Sequence, residues 1–219
     1  MPTKPLRTKA FVLRRVNYGE TDRILTLLTP EGQISVRARG VRKEKSKLAG
    51  GIEMFCLSDV VIHQGKSDLG ILTSAKMLIF YQNILTDLTK LEFASAALKE
   101  ISRATAQVES PDFFKVTEQI FTALQSNYPL TLIQIWFHIN LKKLLGEELN
   151  FFRDKSGAPL SPDQIYTWDS FSESFTPSPN GTITANHIKL LRLMSVLPLS
   201  TISKIKDLST LLPEVKIVI

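Results

Sequence analysis

Two periodicities divide the chain. Up to about residue 80, apolar and polar positions alternate every second residue; beyond it they recur at helical spacing. The clearest alternation is GQISVRARG, residues 32–40, where Ile34, Val36 and Ala38 share one side and Ser35, Arg37 and Arg39 the other. That pattern predicts a strand with one buried face. TKAFVLRRVNY (8–18) and DRILTLLTP (22–30) come before it, rich in apolar and β-prone residues, and the PEG turn at 30–32 joins the second segment to the third. FCLSDVVIH (55–63) and LGILTSAK (69–76) read as two further strands, connected in hairpin fashion by the glycine-containing QGKSD. Five short strands, with a longer link between the third and fourth, predict a small five-stranded β-barrel of the OB type.

The remainder reads as helix. In LTKLEFASAALKEISRATA one stripe carries Leu91, Ala94, Leu98 and Ile101, and Thr89 and Glu92 have capping-box spacing. SPDFFKVTEQIFTAL opens on Ser110 as N-cap and Pro111 at the first helical position, with Phe113, Val116, Ile120 and Leu124 as its stripe. LTLIQIWFHINLKKLLG is apolar almost all round, which marks a central bundle helix, and Gly146 closes it. Residues 150–182 are loop-rich, with room for a small hairpin and an Asn180-Gly181 turn, and TANHIKLLRLMSVL returns to helix. The expected class is α+β: an OB-type barrel over residues 1–80, then a helical domain over residues 81–219 with a small hairpin insertion.

Charge changes this picture more than composition does. The net charge is +6, and residues 1–47 hold twelve Lys or Arg against four Asp or Glu, while the rest hold fifteen against seventeen. The basic character belongs to the first part alone, and such asymmetry points to a nucleic-acid partner. The single cysteine, Cys56, excludes an internal disulfide and the common cysteine-rich zinc sites. No apolar signal-peptide core precedes the first strand, and the greasiest stretch is too short to span a bilayer and is broken by Gln134, His138 and Asn140. A cytoplasmic location without membrane contact is expected.

Enzyme chemistry finds little support. His63, His138 and His187 fall in three different elements without ligand-like spacing, and a structural or surface role suits each better than catalysis. GKS at 65–67 resembles the end of a P-loop, but the glycine that motif needs five positions before its second glycine is Val60 here. No catalytic residue, metal ligand or cofactor is expected.

The basic run RARGVRKEKSK, residues 37–47, has six cations and one acid, Glu44. A solvated loop is the commonest fate of such charge. Here, however, the charge continues from the outward face of a strand through Arg37 and Arg39 into the loop at Arg42, Lys43, Lys45 and Lys47. Arg14, Arg15 and Arg23 sit on neighbouring strands, and Tyr18 is available for stacking; Phe11 is better placed in the core. Basic faces with interleaved aromatics are how OB barrels track a single strand. These ten residues are the expected nucleic-acid site. Glu20 and Asp22 are expected to pair with Arg23 or to shape the first hairpin.

As an ordered set, these residues resemble the N-terminal region of the bacterial RecO recombination mediators. Tyr18, Gly19, Glu20, Asp22, Arg23 and Ile24 match the core of that family's first hairpin, Gly32 to Lys43 its strand and basic loop, and Leu48-Ala49-Gly50 the step into its fourth strand. The resemblance runs from about residue 8 to 85. It implies a non-enzymatic DNA-repair protein that binds single- and double-stranded DNA, anneals strands, works with RecR, and helps load RecA onto strands coated by single-strand-binding protein. It further implies that the helical part, residues 81–219, makes protein contacts and adds DNA binding, and that it receives the acidic tail of that protein, for which Arg103, Lys142 and Lys143 are the expected cations. Many members hold a four-cysteine zinc site in the helical part; with Cys56 alone this chain resembles the zinc-free members. It also ends in LLPEVKIVI, without the basic terminal helix the family leads one to expect. The alternatives left open are another OB-fold protein that binds RNA or the ribosome, and an adaptor whose loop meets an acidic protein.

Overall fold

The computed structural model describes residues 5–64 and 69–219. Residues 65–68, in the link expected between the fourth and fifth strands, lie outside the described residues. The chain forms two compact units, Met1–Gln125 and Ser126–Ile219. The change of period near residue 80 marks where strands give way to helices; the first packing unit continues to Gln125 and includes two helices.

In the first unit β1 (Leu6–Tyr18), β2 (Asp22–Thr29), β3 (Gly32–Ala38), β4 (Cys56–His63) and β5 (Gly70–Phe80) close a barrel in the order β1-β2-β3-β5-β4. All pairs are antiparallel except β3 with β5. β1 is long because it serves two neighbours: Leu6–Phe11 pairs with β4 and Phe11–Tyr18 with β2. The barrel interior holds Ala10, Val12, Leu25, Leu27, Val36, Ala38, Val60, Ile62 and Leu72. The alternation of GQISVRARG is thus realised, with Val36 and Ala38 inside and Arg37 outside. Ile52, in the turn Ala49–Ile52, joins that core. Gly51 lies so close to the backbone of Ala75 that a Cβ there would sit 2.4 Å from its carbonyl oxygen.

A second core lies outside the barrel wall. Phe11 and Leu28 pair across β1 and β2 on the face opposite the interior, and both are fully buried. Helix α1 (Leu88–Ala104) and helix α2 (Asp112–Gln125) belong to the same unit. The ring of Phe121 on α2 lies 5.4 Å from Phe11, 5.4 Å from Tyr81 and 5.8 Å from Phe55, and Phe114 lies 5.1 Å from Phe11. Thr105, the C-cap of α1, donates to Gln33 of β3 at 2.7 Å. The start of α1 differs from the expected capping box. Asp87 is its N-cap and accepts from the Thr89 and Lys90 amides, because a carboxylate placed before the first turn reaches two free N–H groups at once. Ser110 caps as expected, accepting from the Asp112 amide at 3.2 Å.

The second unit is built on α3 (Leu130–Leu144), which buries Leu132, Ile133, Ile135, Trp136, Phe137, Ile139 and Leu141. Two of its polar side chains reach backbone carbonyls: Trp136 donates to Leu197, and Asn140 to Trp136 and Met194. Gly146 follows the helix in the left-handed region at φ 79°, the closing geometry its position predicts. The expected hairpin is β6 (Tyr166–Asp169) with β7 (Ser174–Pro177), packed through Phe175 against Phe151, Tyr166 and Trp168. Helices α4 (Ala185–Met194), α5 (Leu199–Ile202) and α6 (Leu208–Val215) complete the unit. His187 has a structural place, accepting from the Thr184 amide in the cap of α4.

Candidate nucleic-acid interface

One irregularity in β1 decides which residues share a face. Residues directly paired across antiparallel strands point the same way. Val12 pairs with Leu27, inside the barrel. A bulge then absorbs one residue before Arg14 pairs with Thr26, Val16 with Ile24 and Tyr18 with Asp22, all of them outside. An uninterrupted strand would have turned Arg14, Val16 and Tyr18 inward. On the next strand pair Ile24 meets Arg37, again outside. Arg14, Val16, Tyr18, Asp22, Ile24 and Arg37 therefore line the outer face of β1–β3. Arg15 pairs with Leu25, and Arg23 with Ala38, which puts both on the interior face at its polar end. There Arg15 bridges Glu53 at 2.8 Å, and Arg23 donates to Asn17 at 3.2 Å. The five strand residues among the ten expected thus fall on two faces, and the other five lie in the loop after β3.

Asp22 organises the outer face. Its carboxylate accepts from the Gly40 amide at 2.7 Å, from Arg37 Nε at 2.7 Å and from the Thr21 hydroxyl at 3.0 Å. The Gly40 N–H, and then the Arg37 guanidinium, hold that carboxyl down at about 2. Arg23 is not among its partners; they are Arg37, the backbone of the basic loop and, in the turn of the first hairpin, Thr21. Arg37, once pinned, lies over the ring of Tyr18 at 4.9 Å. Tyr18 remains 48% exposed, a flat surface held in place by a guanidinium.

The loop itself is docked rather than trailing. Gly40 takes a left-handed turn at φ 62°, Val41 plugs into the barrel core, and the Arg42 amide donates to Thr21 at 2.9 Å. The Arg42 side chain reaches the Gly19 carbonyl at 3.1 Å. Beyond this anchor Arg39, Lys43, Lys45 and Lys47 are exposed and form no ion pair among the described residues. Val41 is legible as the one apolar residue of the stretch RGVRKEKSK, 39–47. Such a surface offers fixed positive charge for phosphates beside an aromatic plane for a base.

A sequence model of the family described as Recombination protein O N terminal matches residues 1–81, the barrel and its basic loop. Along nearly the whole chain, the DNA repair protein RecO of Dehalococcoides mccartyi (strain ATCC BAA-2266 / KCTC 15142 / 195) is 28% identical, over 99% of this chain and 89% of its own length. The DNA repair protein RecO of Roseiflexus sp. (strain RS-1) is 30% identical over 74% of this chain and 63% of its own, and that of Heliobacterium modesticaldum 32% over 76% and 61%. The chain belongs to the RecO family.

Within this RecO-family chain the three cations expected for an acidic tail are not equivalent. Arg103 lies on the last turn of α1, in the first unit. Lys142 and Lys143 end α3, in the second unit, and both are engaged. Lys142 lies 2.7 Å from Glu173 and 3.7 Å from Glu147; Lys143 donates to the Ser195 carbonyl at 3.2 Å and lies 3.8 Å from Glu148. The loop-rich stretch 150–182 is held by side chains: the Phe175 cluster, a Lys155–Asp169 bridge at 2.7 Å, and Asp154 accepting from the Ser156 and Ala158 amides. Among the described residues no group of His, Cys, Asp or Glu is placed to hold a metal ion, and no helix is long and apolar enough to cross a membrane.

Proposed function

We propose that this RecO-family protein acts in DNA repair and recombination as a non-enzymatic mediator that binds single-stranded and duplex DNA. The observation that carries the reading is the outer face of β1–β3, where the docked loop with its free cations adjoins the Tyr18–Arg37 stack. The loop cations Arg42, Lys43, Lys45 and Lys47, with Arg39, neutralise phosphates and release counterions. Tyr18 receives an unpaired base on its open side. Arg37, already neutralised by Asp22, positions that ring rather than meeting a phosphate. Arg15 and Arg23 contribute at the polar end of the interior face, where a strand leaving the loop would pass. Two strands held on one screened surface repel each other less, which favours annealing. The chemistry is binding alone, without a cofactor or covalent step.

Family membership supports the partners. In this reading the protein works with RecR and helps place RecA on strands coated by single-strand-binding protein, in the bacterial cytoplasm at the nucleoid. The acidic tail of the coating protein meets the helical part, where Lys142 and Lys143 exchange Glu173, Glu147 and Glu148 for the acids of the tail. The test is binding to single-stranded DNA over a salt series, with structured RNA as competitor. Affinity that falls linearly on logarithmic axes and resists RNA supports the reading. Preference for RNA would assign the barrel to an RNA-binding role, and absence of nucleic-acid binding would leave an adaptor.

A further inference from the structure

The bulge that turns Arg14 outward also brings it to a cavity that the loop residues do not touch. Leu13, Arg14 and Met54 of the barrel and Ser95, Leu98, Lys99, Ser102 and Arg103 of α1 line a space of about 330 Å³. All belong to the first unit. Three cations and two hydroxyls surround an apolar floor. Arg14, Lys99 and Arg103 are exposed, and none forms an ion pair among the described residues. The one acid on α1 that senses Arg103 is Glu100, whose carboxyl burial pushes up while Arg103 opposes the shift. Ser95, Lys99 and Arg103 succeed one another at four-residue spacing, so they present one helix face. On β1 the face runs Arg14, Val16, Tyr18, about 13 Å from the cavity to the stacking ring at 3.3 Å per residue.

We infer that this cavity receives the sugar-phosphate backbone of a nucleic-acid strand that has crossed Tyr18, extending the binding path from the barrel onto the first helix. Three cations with no acid among the lining residues call for an anionic occupant, and the outer face of β1 that carries Tyr18 leads to Arg14. Arginine and lysine meet the phosphates, Ser95 and Ser102 donate to their oxygens, and Leu13, Met54 and Leu98 pack against the sugar. Arg103 then serves the strand, not an acidic protein tail. The inference rests on the nucleic-acid reading above and adds a second anchoring point to it.

The test uses the full chain with Lys99→Glu and Arg103→Glu together, both exposed, so that the barrel core is untouched; thermal melting checks the fold. Loss of two phosphate contacts lowers the slope of log affinity against log salt by about 1.4 for single-stranded DNA, with binding roughly twentyfold weaker at 0.1 M salt and little changed at 1 M. A local readout comes from a fluorophore on Ser95→Cys, which labels selectively because Cys56 is buried. Its emission should shift on adding unlabelled single-stranded DNA. An unchanged slope together with a silent probe, while the loop variant loses its own contacts, overturns the inference and spares the general reading. Loss of binding to an acidic peptide containing an aromatic residue, with the DNA slope intact, also overturns it, in favour of a peptide pocket. A wild-type protein that ignores single-stranded DNA removes both.

Discussion

The two units use similar residues to opposite ends. The first, Met1–Gln125, holds eighteen Lys or Arg against thirteen Asp or Glu; the second, Ser126–Ile219, holds nine against eight. In the second unit the cations around the hairpin and the end of α3 are engaged where they stand, whereas Lys189, Lys204, Lys206 and Lys216 are exposed. Lys142 sits with Glu173, Lys155 with Asp169, and Arg192 donates to the Phe151 carbonyl while lying over Phe152 at 4.7 Å. Asp169 is held well below the usual carboxylate range, first by Lys155. In the first unit the acids of the outer face do not cancel the charge. Asp22 is spent on positioning the loop, and its effect is to bring free cations together. Pairing of surface charges contributes little to stability, so an unpaired basic surface costs the fold little and stays available to an anion. The difference teaches that the number of cations is a poorer guide to a binding face than which of them lack an acid.

The strongest way to break the comparison is to test whether the first unit is one body. Phe121→Ala removes the ring that joins Phe11, Tyr81 and Phe55, and should cost about 3–5 kcal/mol in denaturant unfolding. Unfolding of the barrel that is indifferent to this change would detach α2 from it. Next, Arg42, Lys43, Lys45 and Lys47 replaced together by Ala should lower the DNA salt slope by about 0.7 to 0.9 per lost contact. Lys142→Ala with Lys143→Ala should leave that slope unchanged and cost about 1 kcal/mol of stability or less. Equal slopes for the two variants would erase the distinction between the units. A smaller effect isolates the aromatic plane. Tyr18→Ala should weaken single-strand binding by about 1–3 kcal/mol with the salt slope preserved, and equilibrium titration at two salt concentrations reads both. The smallest concerns Asp22. Its carboxyl lies at about 2, below its ordinary 3.8, so its stabilisation is complete above the ordinary value and is lost as pH falls through about 2. Urea unfolding of Asp22→Asn beside the wild type from pH 5 to pH 2 should show the difference shrinking toward the acid end. A constant difference would mean that the ionised carboxylate is not what holds the loop.

Much of this protein is written locally. The alternation of Ile34, Val36 and Ala38 with Ser35 and Arg37 requires a strand with one buried face whatever surrounds it, because side chains on a strand alternate by geometry. The apolar circumference of residues 130–144 requires a buried helix, Gly146 its end, and the order of charges a basic first part. The barrel, the helices after it, the hairpin near residue 170 and the basic loop could all be read from such short-range pattern. Other features had no local signal. Asp22 sits eighteen residues from Gly40, and its choice of Arg37 over Arg23 follows from strand register. Phe11 looked like barrel core and is core, but of the layer beneath α2. The bulge after Val12 shifts Arg14 and Tyr18 outward by one residue of phase and leaves Arg15 inside. Sequence by itself determined which segments are strands and helices and where the charge lies, because those depend on neighbours within a few residues. Only the tertiary structure decided which cations share a face and which have an acid opposite them, because register, bulge and helix docking are settled by packing between residues far apart in the chain.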